Sequence, residues 1–254
     1  LHMPSHIFTR LGLWEDSITS NRAAREAAHQ QGDTGEELHA MDYLVYAYLQ
    51  SGRNEEAAQV IQELKTMPQL SQRDFKVGYA STAMPVRYVV ERGQWADAAT
   101  IVAPTAAPPH VIAIAVWARG IGLARSGHAT EANPEIDKLH QLEEQLHASG
   151  NNYWATQVGI MAREVMAWSA QAGGKSEEAV GLMRASADEE DAIEKLPVTP
   201  GPIVPAREQL GYLLLEQKNP SLALKEFKTA LTNAPGRYGA LQGEALATKL
   251  SAQK

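Results

Sequence analysis

The segment His-Met-Pro-Ser-His at residues 2–6 sets two imidazoles, His2 and His6, four positions apart around Pro4. Imidazole nitrogens ligate Zn, Ni, Cu or Fe, and a third imidazole or a carboxylate would complete such a site. A second segment offers both, His39 and Asp42, one helical turn apart. His2 and His6 stack directly only if a helix reaches back to His2, whereas Pro4 fits naturally in a first turn and leaves His2 just outside it. The pair lacks the glutamate of an HExxH arrangement. The alternative roles are a loop or capping hydrogen bond for His6 and a backbone-carbonyl partner for His39. His29, His128, His140 and His147 fall in expected turns or on polar helix faces and read as solvated.

Other chemistries lack their residues. With no Cys there is no disulfide framework, thiolate metal site or Cys nucleophile, an absence that fits the cytoplasm and an export compartment equally. No nucleophile elbow, phosphate-cradling glycine loop or dinucleotide fingerprint occurs, so nothing in the sequence asks for catalysis. The acidic run Asp188-Glu189-Glu190-Asp191 lacks the alternating ligands and glycine of a calcium loop and reads as solvated surface. A formal charge of -7 without a Lys/Arg cluster argues against nucleic acid or an anionic membrane as partner. No apolar run is long enough to cross a bilayer, and no signal peptide is visible. Because the chain opens on Leu1 rather than Met, a preceding N-terminal part, with any targeting signal it carried, is expected.

The elements that must position these residues are helical. Hydrophobic residues make up 44% of the 254 residues, and period-two runs of Val, Ile and Thr are nearly absent, so the chain reads as all-α. It also repeats itself. "MPSHIFTRLGLWEDS" at Met3 and "MPVRYVVERGQWADA" at Met84 share Met-Pro, Gly, Trp and Asp at equal offsets. A Gly followed five residues later by a small residue recurs as Gly12/Ser17, Gly52/Ala57, Gly93/Ala98, Gly127/Ala132 and Gly174/Ala179, with Lys218/Ala223 as a sixth variant. Gly ends one helix in the left-handed conformation, and the small residue lets the next pack closely. The pattern predicts six helical hairpins near 3–30, 35–66, 74–103, 110–147, 152–190 and 203–234, with a capping helix over 237–252, in a single domain spanning 1–254. "APTAAPPH" (103–110) and "LPVTPGPIVP" (196–205) cannot continue a helix and read as connections.

The last unit carries Leu210-Gly211, Ala223, Phe227, Ala230 and Pro235 at the spacing of a tetratricopeptide repeat, which it resembles. The other units are degenerate, their small anchors lying 34 to 47 residues apart. This resemblance implies a right-handed α-α superhelix in which each hairpin buries its apolar face on the next. More narrowly, "HMPSHIFTRLG", "LHAMDYLVYAYLQSGR", "PGPIVPAREQLGYLL" and "PGRYGALQG" resemble a bacterial family of tetratricopeptide-like proteins. Its upstream part carries further His in an HPG-x-x-HY-x-x-H pattern, absent here. That resemblance also pairs an acidic residue at Glu190 with the "PGP" loop and Glu208.

In tetratricopeptide arrays the exposed positions of each first helix lie roughly 18, 15 and 11 residues before the small anchor, on one helical face. Transferred here, they give a concave groove of Tyr46, Arg87, Trp117, Glu164, Trp168, Glu208 and Tyr212, with His2, His6, His39 and Asp42 toward one end. Such a groove suits a protein or peptide segment, or a polar small molecule. The competing role for Trp117, Trp168 and Tyr212 is packing between helices. Only Arg87 supplies a cation, so capture of an acidic C-terminus is not favoured. Arg237 has two candidate roles, docking the last helix through Glu208 or Glu244, or meeting a ligand carboxylate. The duplicated unit has Ala83 and Arg87 where the first has His2 and His6, so a hairpin forms without these histidines. Two functions follow: a non-catalytic binding or scaffold module, or a metal-binding protein or metalloenzyme built on His2, His6 and His39, completed by a preceding segment. Self-association through the proline-rich connections and the C-terminal helix is a third expectation.

Overall fold

The computed structural model describes residues 2–68, 70–194, 196 and 198–253; Leu1 and, in the second proline-rich connection, Pro197 lie outside them. Helices are the regular structure of the described residues, which include no strand. The hairpins run as α1 (Met3–Leu11) with α2 (Trp14–Gln31), α3 (Thr34–Gln50) with α4 (Asn54–Thr66), and α5 (Phe75–Val90) with the short α6 (Trp95–Ala98). Then come α7 (Pro109–Arg125) with α8 (Asn133–Ala148), α9 (Asn152–Ala172) with α10 (Ser176–Ala192), α11 (Ala206–Glu216) with α12 (Pro220–Asn233), and a final α13 (Tyr238–Ser251).

The glycine pattern explains where the turns fall. Gly12 ends α1 at φ 69°, its N–H and that of Leu13 returning to Thr9 and Phe8 carbonyls. A side chain is also excluded there, because a Cβ would lie 2.3 Å from the Pro235 carbonyl oxygen. The third hairpin is shorter than the spacing predicts. Its second helix stops at Ala98, and Gly122 of α7 lies so close that a Cβ would stand 2.3 Å from the Ala99 nitrogen.

The layers follow from which helices are buried. α7 is apolar nearly all round, and α3, though it carries Glu37, His39, Asp42 and Gln50, is likewise buried over most of its length. The first helices of successive hairpins touch in order, α3 to α5, α7, α9, α11 and α13, and α13 returns to α3. The inner layer therefore closes on itself. Trp14 Nε1 donates to the Gly236 carbonyl at 2.9 Å, and the Tyr238 amide donates to Gln50 Oε1 at 3.0 Å, sealing the closure.

This closure changes what the inner face is. The proline-rich connection does not merely link two hairpins; it lies across the interior, where Arg87 donates to the Pro202 carbonyl at 3.0 Å. Tyr46, Arg87, Trp117, Glu164, Trp168 and Glu208 are each under 5% exposed, and Tyr212 is half-buried. Tyr46, Arg87, Trp117 and Glu164 are packed inside rather than on an open wall, whereas Trp168, Glu208 and Tyr212 line one cavity.

Candidate metal centre

α1 begins with Pro4 in its first turn and His2 at its N-cap in helical dihedrals (φ -75°, ψ -39°), which brings the His2 ring to 4.6 Å from the His6 ring. α3 packs beside α1 and brings His39 to 4.4 Å from His2 and 5.8 Å from His6 between ring centroids. One ligand nitrogen from each of the three lies within 4.8 Å of the others. Asp42 is not in this group. It is buried at the far side of its turn, 3.8 Å from the Arg87 guanidinium, and burial pushes its carboxyl up to about 6.

Two side chains orient the imidazoles. Asn21 of α2 donates through Nδ2 to the Ser17 carbonyl at 2.8 Å, which turns its Oδ1 toward His2. Oδ1 then accepts from His2 Nδ1 at 2.8 Å, so the proton sits on Nδ1 and Nε2 carries the lone pair. That Nε2 is buried and has no hydrogen-bond partner. Tyr43, one turn beyond His39, places its hydroxyl 2.9 Å from His6 Nδ1, and its ring lies 5.0 to 5.3 Å from all three imidazoles. Burial pushes the Tyr43 phenol upward, so it stays protonated. Burial likewise lowers His2, and lowers His39 to about 3, with the neighbouring imidazoles adding to the effect. These two rings are neutral at pH 7, the form that binds metal.

Neither Asn21 nor Tyr43 stood out in sequence. Tyr43 was legible as the i+4 neighbour of His39. Asn21 sits in the core register of α2 with Ser17, Ala24 and Ala28, and a polar residue there was the available signal.

The remaining candidates form internal networks. Trp117 donates to Glu164 at 2.6 Å, Gln209 donates to Glu164 at 2.8 Å, and Trp168 donates to Gln209 at 2.9 Å, tying α7, α9 and α11 together. Arg237 donates to Glu208 at 2.8 Å, to Glu91 at 2.9 Å and to Tyr46 at 3.1 Å. Glu190 accepts the Ala206 amide at 2.9 Å, satisfying the start of α11. No family model, no curated protein and no solved structure matches this chain.

Proposed function

We propose that this chain is a metal-binding protein, in which a tetratricopeptide-like helical frame presents His2, His6 and His39 to one divalent transition ion. The observation that carries this reading is the buried, partnerless Nε2 of His2, aimed by Asn21 while two further imidazoles stand within 4.8 Å. A buried lone pair without a partner costs free energy, and a metal ion satisfies it. The second hydrogen bond on the opposite ring nitrogen is the arrangement that fixes tautomer and orientation in histidine-ligated metals.

Three imidazoles without thiolate suit Zn, Ni, Cu or Fe, and three protein ligands leave a position for water or an outside ligand. Tetrahedral zinc, with bonds of about 2.0 to 2.1 Å, needs nitrogens about 3.3 Å apart, so binding draws the widest pair together by about 1.5 Å. A cavity of about 330 Å³ lies beside His2, lined by Ala24, Ala27, Ala28, Gln31, Asp33 and Glu36.

The test is a calorimetric zinc titration of metal-stripped protein beside its His6→Ala/His39→Ala variant. The reading expects one saturable equivalent in the parent and none in the folded variant. Equal binding by both would end it.

A further inference from the structure

The second candidate lies away from the histidines. α5, α7, α9, α11 and the start of α13 enclose a cavity of about 310 Å³. That volume is within the usual range of small-molecule sites. Its apolar and aromatic walls include Val90, Trp95, Ile121, Trp168 and Tyr212.

The lining carries Glu91 and Glu208 with Arg92 and Arg125, but its buried carboxyls are not matched one for one by buried guanidiniums. Arg125 lies over Trp168 and Trp95, at 3.7 and 4.6 Å from the ring centroids, and pairs with Glu216 at 2.6 Å, so its charge is matched. Arg92, at the mouth, is exposed and rests on Tyr88. Glu91 and Glu208 both line the cavity, have side chains under 7% exposed, and share the single guanidinium of Arg237. The next cation inward, Arg87, stands against Asp42. Three carboxyl groups, Asp42, Glu91 and Glu208, thus face two guanidiniums, Arg87 and Arg237. A buried carboxylate without a counter-charge must take a proton or meet a cation from outside. The cavity is where such a cation reaches Glu91 and Glu208.

We propose that this cavity binds a small organic cation, a primary ammonium on an aromatic or aliphatic body, with the ammonium at Glu91 and Glu208 and the body against Ile121, Trp168 and Tyr212. Burial, reinforced by Glu208, pushes the Glu91 carboxyl above its ordinary range, in keeping with a group that lacks its full counter-charge.

The experiment compares three probes that share a ring and differ in charge: phenethylamine, phenethyl alcohol and hydrocinnamate. Binding at neutral pH is read by quenching of tryptophan fluorescence, since Trp95 and Trp168 line the cavity. The proposal expects saturable binding of the amine, about tenfold tighter than the alcohol, with the acid weakest. Glu91→Gln should remove the preference for amine over alcohol. Val204→Phe, which fills the cavity from a half-buried wall position, should abolish binding with the helical circular dichroism intact. If Glu91→Gln does not fold, the probe series on the parent and on Val204→Phe still decides. The proposal is overturned if amine and alcohol bind alike, if Val204→Phe binds as well as the parent, or if phenethylamine does not bind at millimolar concentration.

Discussion

Replacing Arg237 by Met removes the cation that holds the two ends of the chain together. The side chain is fully buried, and it donates to Glu208, Glu91 and Tyr46 across sequence separations of 29, 146 and 191 residues. Breaking a buried ion pair from one side costs about 3 to 5 kcal/mol, because a charge is left without its partner. Here two carboxylates are left, but each can escape by binding a proton. From a reference carboxyl value of 4.5, that escape costs about 3.4 kcal/mol per group at pH 7. The expected loss for Arg237→Met is therefore about 5 kcal/mol at pH 7, between the one-pair cost and the protonation limit for both groups. The sign with pH follows. In the variant the folded-state carboxyl values lie above the unfolded ones, so between them the native state holds more protons, and its stability rises as pH falls. Each carboxyl that takes a proton recovers about 3 kcal/mol between pH 7 and pH 5. Urea unfolding of parent and variant at both pH values measures this. A loss below about 1 kcal/mol that does not change with pH would refute the reasoning.

Three further outcomes are expected. Gly243→Ala should destabilise by about 2 kcal/mol in urea unfolding, since its Cβ would stand 2.3 Å from the fully buried Phe227 ring, and no loss would mean the ring can move. His110 is buried against Trp154 at 4.7 Å, and burial lowers its imidazole to about 4 from the reference 6.5. Its unfolded form takes a proton first, so stability present above pH 6.5 should fall by about 3 kcal/mol as pH drops toward 4, and His110→Phe should remove that part of the slope. Asn21→Ala should weaken zinc binding about 10- to 100-fold without abolishing it; an unchanged affinity would show that Asn21 does not orient His2.

The hairpins were legible because Gly and a small residue five positions on carry local geometry, and local geometry survives in a sequence. Helix ends at Gly12 and Gly174, and the break before Ala206, fall where the chain's own residues require them. The proline density at 196–205 marked the break but not the path of the loop, since its contact with Arg87 spans 115 residues. For the same reason the offsets that placed Trp117, Trp168 and Tyr46 on inner helices said nothing of their burial, which depends on closure of α13 onto α3. The neighbouring placement of His6 and His39 came from a hairpin register, a local property. Their orientation by Asn21 and Tyr43 is set by packing between three helices. Arg237 could be linked to Glu208 by proximity of their units, whereas Glu91, three hairpins before Glu208, gave no signal.

The central claim is that His2, His6 and His39 hold a metal ion. Its most direct measurement is elemental analysis by plasma mass spectrometry of untagged protein purified without added metal, beside the His6→Ala/His39→Ala variant. The account predicts a near-stoichiometric divalent transition metal in the parent and its loss in the folded variant. Metal-free parent protein that also fails to take up zinc, nickel, copper or iron on reconstitution would contradict it.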